Sequence, residues 1–418
     1  MGEACVMKYD HSKFLPLLIL YLFLVIVLSS NTFQGDEKGY VSYANYLLQS
    51  PHSFHDDVNL WWGPGYPIVL TPFVYWRLPL LTAKLLNSFF LFGAILYLYK
   101  TLSLYIQKNY AVILTYCIGL YPPLMREIPL LMTESLVFFL TCGFVFHFCK
   151  LYRQPGTNWF HLLVTSLYLG YLALTKVFFG YVILVGILLY LFLLFKQRKT
   201  QYIQTALVYA LALMWCTPYL IVTFSLTGKL FYWGSSGGLS LYWMTTPYNN
   251  ELGDWFSPKD VEVLPELSQH REFFDRITIL SEVGKDEAFK NQAKYNIINH
   301  PVKYAINWAA NIGRLLFSYP FSYAPQKLST YFYIIPNMFI VVLLALSIYP
   351  AIMRRGSIPY EIYVLILFAL ISFGGTSLLS GFARQFYPLV PIILLWLSFV
   401  YFRILKIELH PDAKVPLP

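Results

Sequence analysis

Ten apolar runs, each about as long as a bilayer crossing, dominate this chain of 418 residues. The hydrocarbon core of a membrane is about 30 Å thick, so a spanning helix needs about 20 mostly apolar residues. On that basis the sequence predicts helices near 14–30, 79–99, 109–125, 129–149, 159–175, 177–195, 202–226, 330–350, 359–379 and 386–404. No water reaches that core, so each run must satisfy its backbone internally, and helices do this. Only 12% of the residues are charged, against roughly 25% in soluble domains. The expected fold class is an all-α polytopic membrane protein, a bundle of about ten transmembrane helices. Residues 1–30 show Lys8 and Lys13 ahead of the first run and no small-x-small cleavage site. They read as an uncleaved first helix.

An even number of spans puts both termini on one face. Lys8/Lys13, Lys100/Lys108, Lys150/Arg153, Lys196/Arg198/Lys199, Arg354/Arg355 and Arg403/Lys406 fall on that face. The short connections opposite carry single cations, Arg126, Lys176 and Arg384. Cytoplasmic loops carry the excess of Lys and Arg. Both termini are therefore expected in the cytoplasm, in a cell (inner or plasma) membrane, with segments 31–78 and 227–329 outside. The chain divides into 1–226, the loop region 227–329 and 330–418. That loop region has ten Lys/Arg and ten Asp/Glu, and the net charge of +9 is dispersed, so a nucleic-acid partner is not expected. Its GSSGGLS at 234–240 reads as a flexible connection. Pro301 suits the first turn of a helix in which Trp308, Ile312, Leu315 and Leu316 form an apolar stripe, expected to rest on the membrane or the bundle. The five cysteines lack metal-ligand spacing and read as buried thiols.

The extracytoplasmic ends collect ionisable residues: Asp36, Glu37, Asp56, Asp57, Arg126, Glu127, Glu134, Lys176 and Arg384. Charges near membrane spans are costly, and residues at one depth can line one cavity or simply cap helix ends. GDEKGYVSYANYLL at 35–48 follows the first run directly, with Tyr40, Tyr43, Ala44 and Leu47 on one helical face. Asp36 or Glu37 can act there as a general base or as an N-cap. In WWGPGYPIVLTPF, Trp61, Trp62 and Tyr66 offer flat amphipathic rings, as membrane anchors or sugar platforms. His52 and His55 have no metal-like pattern. Lys176 and Arg384 stand alone in apolar surroundings and suit a lipid-borne phosphate, or snorkel to water.

GDEKGYVSYANYLL, GPGYPIVLTPF, LLMTESLVFFL, LALTKVFFG and RQFYPLVP, in that order, resemble the GT-C superfamily of membrane glycosyltransferases. Within it they look most like the dolichyl-phosphate-mannose-protein mannosyltransferase and aminoarabinose transferase-like group. The resemblance implies an inverting transfer from a polyprenyl-phosphate sugar donor to an extracytoplasmic glycan, lipid or protein acceptor. It implies Asp36 as catalytic base, Glu134 as the second acidic position, and Lys176 and Arg384 on the donor phosphate. Glu37 joins the catalytic set, and Arg126, Tyr40, Trp62 and Tyr66 the substrate-binding set. Many relatives have a basic residue and Pro-Pro where this chain has Gly63-Pro64-Gly65, which shifts phosphate contacts toward Lys176, Arg384 and Arg126. No cofactor or metal is expected, because Arg and Lys supply the counter-charge. The rival classes are a lipid-linked glycan transporter and a polysaccharide polymerase or ligase.

Overall fold

A computed structural model describes residues 11–30, 32–49, 60–153 and 156–407. Asp56, Asp57, His52, His55 and Cys5 lie outside the described residues. Every regular element among the described residues is helical. The chain begins with α1 (Leu15–Leu28), α2 (Glu37–Leu48), α3 (Gly65–Tyr75), α4 (Leu80–Ser103), α5 (Lys108–Gly119) and α6 (Pro122–Glu127). It continues through α7 (Glu134–Leu151), α8 (Trp159–Thr175), α9 (Phe178–Lys196) and α10 (Thr200–Thr227). The loop region holds α11 (Ser236–Met244), α12 (Pro258–Val263), α13 (Ser268–Ile277), α14 (Glu282–Asn299) and α15 (Pro301–Phe317). Then come α16 (Tyr331–Met353), α17 (Tyr360–Ser377) and α18 (Val390–Phe399).

Among the described residues seven helical segments are long and apolar enough to cross a membrane; α1 and α8 are shorter apolar helices. The protein is a multi-pass membrane protein by that content. The run at 109–125 is not one continuous helix. It breaks between α5 and α6, because Pro122 and Pro123 have no N–H to continue the ladder and instead open a new helix. The bundle centre is α7, which buries most of its length against α4 and α8. Helix α16 leaves most of its surface, including Phe332, Ile335 and Phe339, exposed. Cys142, Cys149 and Cys216 are buried as expected, whereas Cys117 is exposed.

One expectation for the loop region is overturned. GSSGGLS is not a flexible connection: from Ser236 it forms α11, and the Gly238 amide donates to the Asp286 carboxylate at 2.7 Å. This helix packs on α14, and Leu239, Tyr242, Trp243, Val261, Leu267, Ile277 and Phe289 form a separate small core. The inward face of α15 combines Leu315 of the apolar stripe, with Leu316 packed on the bundle core, and polar side chains. Asn307, Asn311, Arg314 and Leu315 are buried, while Trp308 is exposed. The reason is that the neighbouring turns present unpaired carbonyls. Asn307 donates to the Met244 and Thr246 carbonyls, Asn311 to those of Ser377 and Leu379, and Arg314 to those of Leu252 and Pro320. Buried backbone carbonyls must find donors, and here Asn307, Asn311 and Arg314 supply them beside the buried Leu315.

The other correction concerns Glu37. It is fully buried at the start of α2 and accepts hydrogen bonds from the Gln34 amide at 2.7 Å and the Leu131 amide at 2.8 Å. Lys84 of α4, equally buried, stands 3.3 Å away and also donates to the Ser30 carbonyl. Glu37 therefore locks α2 onto α4 and the approach to α7, and its full burial away from the cavity keeps it from substrate. Glu37→Gln is expected to leave Lys84 buried without its counter-charge, at a cost of about 3–5 kcal/mol. Thermal unfolding in detergent measures this; an unchanged midpoint would remove the structural role.

Candidate active site

Where α1 gives way to α2 the chain turns sharply. Gly35 adopts φ +52°, a left-handed conformation that side-chain-bearing residues avoid. The turn leaves Asp36 just ahead of α2, with its side chain about one-third exposed. Asp36 makes no capping bond. Its Oδ2 instead accepts from the Arg384 guanidinium at 2.9 Å, across 348 positions of sequence.

Arg384 sits on a 3₁₀ turn, Ala383–Gln385, between α17 and α18. Asn311 of α15 holds the strand of chain leading to it, donating to Leu379 at 2.7 Å and accepting from the Gly381 amide at 3.1 Å. The Ser380 amide adds a bond to the Ser240 carbonyl of α11. The polar face of α15 thus aims the arginine. Its Nε lies 3.8 Å from Glu134 Oε1, so one guanidinium bridges two carboxylates.

Glu134 opens α7 and is buried. Its Oε1 also meets Lys176 Nζ at 3.1 Å. Lys176 is the C-cap of α8, where the partial negative charge of the helix end favours a cation. Arg126, in the last turn of α6, donates to the Tyr333 hydroxyl of α16 at 2.8 Å.

These groups share one cavity of about 1020 Å³. Asp36, Tyr40, Trp62, Arg126, Lys176 and Arg384 line it, as do Glu127, Trp233, Tyr333, Lys327 and Tyr387. Tyr40 is nearly buried, its ring 5.4 Å from Trp62 and 5.3 Å from Tyr66. Trp62 lies so close over Gly39 that a Cβ there would fall inside its ring. Burial, reinforced by the negative charges of Glu134 and Asp36, pushes the Tyr40 hydroxyl well up, so it stays protonated and able to donate.

Six of the nine residues expected at the site line the cavity, and Glu134 stands directly behind it on Lys176 and Arg384. Glu37 does not, for the reason given above. Tyr66 is a second correction: it is buried outside the cavity wall, its hydroxyl 3.4 Å from Asn87, and it supports the Tyr40 ring from behind. Lys84 was missed, although a lysine inside an apolar run is itself a signal that a buried partner exists. Trp233 and Tyr333 carry no local signal; they reach the cavity only by folding.

No protein-family model and no curated protein matches the sequence. Solved structures do match. One is the archaeal oligosaccharyltransferase AglB from Archaeoglobus fulgidus, in complex with an inhibitory peptide and a dolichol-phosphate. It is 14% identical, with a TM-score of 0.51 over 94% of this chain and 50% of that one. Another is the Archaeoglobus fulgidus oligosaccharyltransferase tethered to an acceptor peptide containing the NVT sequon. It is 15% identical, with a TM-score of 0.50 over 95% of this chain and 50% of that one. The chain thus spans about half the length of these structures. At such identity the likeness concerns the fold alone, which this chain shares with these oligosaccharyltransferases.

Proposed function

We propose that the cavity is the active site of a membrane glycosyltransferase that takes a sugar from a polyprenyl-phosphate donor. The observation that carries this reading is the bridge Asp36–Arg384–Glu134–Lys176 at the cavity wall. A planar guanidinium can meet two phosphate oxygens at once, and Lys176 adds a second positive charge. The dolichol-phosphate bound to the similar oligosaccharyltransferase supports a lipid-phosphate donor, and its peptides support a peptide or protein among the candidate acceptors.

In this mechanism the acceptor hydroxyl attacks the anomeric carbon from the side opposite the phosphate, with inversion. Asp36 accepts the hydroxyl proton. While Arg384 rests on Asp36 it competes with that proton, so the carboxylate becomes a base when the guanidinium turns to another anion. The donor phosphate is such an anion. Donor binding then precedes and enables acceptor activation. Arg384 and Lys176 stabilise charge growing on the departing phosphate. Tyr40 and Trp62 provide the flat wall for the sugar. Transport of the intact lipid-linked glycan and polymerisation would use the same donor headgroup without transferring a single sugar.

The purified chain, given membrane extract as source of donor and acceptor, is expected to release lipid phosphate and glycosylate an acceptor, with EDTA present. Failure of transfer from lipid-phosphate sugars would overturn the reading. Loss in EDTA restored by one metal would show that arginine and lysine do not suffice as counter-charge.

A further inference from the structure

We propose that Glu127 is the general acid of this site, handing a proton to the donor's phosphate oxygen as that oxygen leaves the sugar. This rests on the glycosyl-transfer reading above. It begins from a difference among three carboxylates. Asp36 is held by Arg384, and Glu134 by Lys176 and Arg384. Glu127 lines the same cavity, is only 9% exposed, and its carboxylate makes no hydrogen bond or ion pair among the described residues. A buried carboxylate left without a donor is costly as an anion and comfortable as an acid.

The groups facing it are Arg126 on its own helix, Glu134 at the head of α7, Lys176 at the end of α8, and Arg384 and Tyr387 from the turns before α18. Burial pushes the Glu127 carboxyl up to about 7, and the charge of Glu134 pushes the same way. Arg384, Arg126 and Lys176 pull it down without prevailing. An acid that titrates near neutrality is present in its protonated form at working pH and can be recharged between turnovers. Two carboxyls in unlike surroundings at one site are how acid and base roles become separated.

The step balances. The acceptor oxygen bonds to the anomeric carbon, the carbon–oxygen bond to phosphate breaks, and its electron pair stays on the phosphate oxygen. Asp36 gains the acceptor's proton, Glu127 gives one to the phosphate, and the two carboxyls return to their starting states by exchange with solvent.

The test follows kcat/KM against pH for the purified full chain, with lipid extract carrying polyprenyl-phosphate sugars as donor. Wild-type kcat/KM is expected to fall as pH rises through about 7, because the protonated form of Glu127 is lost. Glu127→Gln should lower kcat/KM by about 10²-fold or more on the acid side and abolish that fall. Glu127→Asp keeps a titrating group, so it should keep the fall with a displaced midpoint, and this holds even if the glutamine variant folds poorly. A glutamine variant at the wild-type rate, or a slower one with the alkaline fall unchanged, overturns the proposal. A wild-type chain that transfers nothing shows instead that the glycosyl-transfer reading is wrong, and the acid goes with it.

Discussion

Asp36→Asn is expected to lower kcat by about 10²–10⁴-fold, the usual contribution of a positioned general base, while donor binds as well as before or better. The two halves of this result have different causes. Asparagine keeps the size of aspartate but cannot take the acceptor's proton. It also releases Arg384, which in the native site is shared at 2.9 Å with the Asp36 carboxylate. A guanidinium freed from one anion is more available to the donor phosphate. The side chain is about one-third exposed and caps nothing, so the fold should tolerate the change. Donor titration and single-turnover rates on the purified variant separate the two effects. Weakened donor binding with a normal rate would mean that Asp36 only holds Arg384 in place.

Arg384→Ala is expected to reduce kcat by about 10²–10³-fold, the cost of losing one donor to a developing oxyanion, and to raise the KM for donor as well. The loss is double because this side chain serves two partners. Without it, among the described residues, Asp36 has no cation and Glu134 keeps only Lys176. Arg384→Lys should fall between the variant and the wild type. An ammonium is a point charge and cannot reproduce the fork that reaches both carboxylates or two phosphate oxygens. Charge on the phosphate grows toward the transition state, so alanine should affect kcat more than lysine does. Near-normal donor kinetics in both variants would mean that Arg384 merely reaches for water.

Much of the site is legible along the chain because isolated charges beside apolar runs are expensive. Asp36, Glu134, Lys176 and Arg384 are among the nine charges that stand out for that reason, and the structure brings these four into one linked group. The reading fails where adjacent residues share a chemistry. Asp36 and Glu37 are both acids at the same turn, yet successive residues on a helix point about 100° apart. One must face the cavity while the other faces the protein. The decision belongs to Lys84 and to the Gln34 and Leu131 amides, which converge on Glu37 from α4 and from the segments before α2 and α7. Tyr66 likewise shares its motif with Trp62, but its hydroxyl is drawn to Asn87 behind the wall.

The sequence by itself determined that the chain is helical and membrane-embedded, since runs of apolar residues long enough to meet a bilayer leave no other way to satisfy the backbone. It also determined which charges would be conspicuous. Tertiary structure alone decided which of them meet. The Asp36–Arg384 contact joins residues 348 positions apart, and no local periodicity encodes it. Tertiary structure also decided the inward face of α15, where Asn307, Asn311 and Arg314 are buried beside Leu315. A helix face is chosen by what lies opposite, and here that was a set of backbone carbonyls needing donors. Those bonds fix the turn that carries Arg384 and so bring it to Asp36.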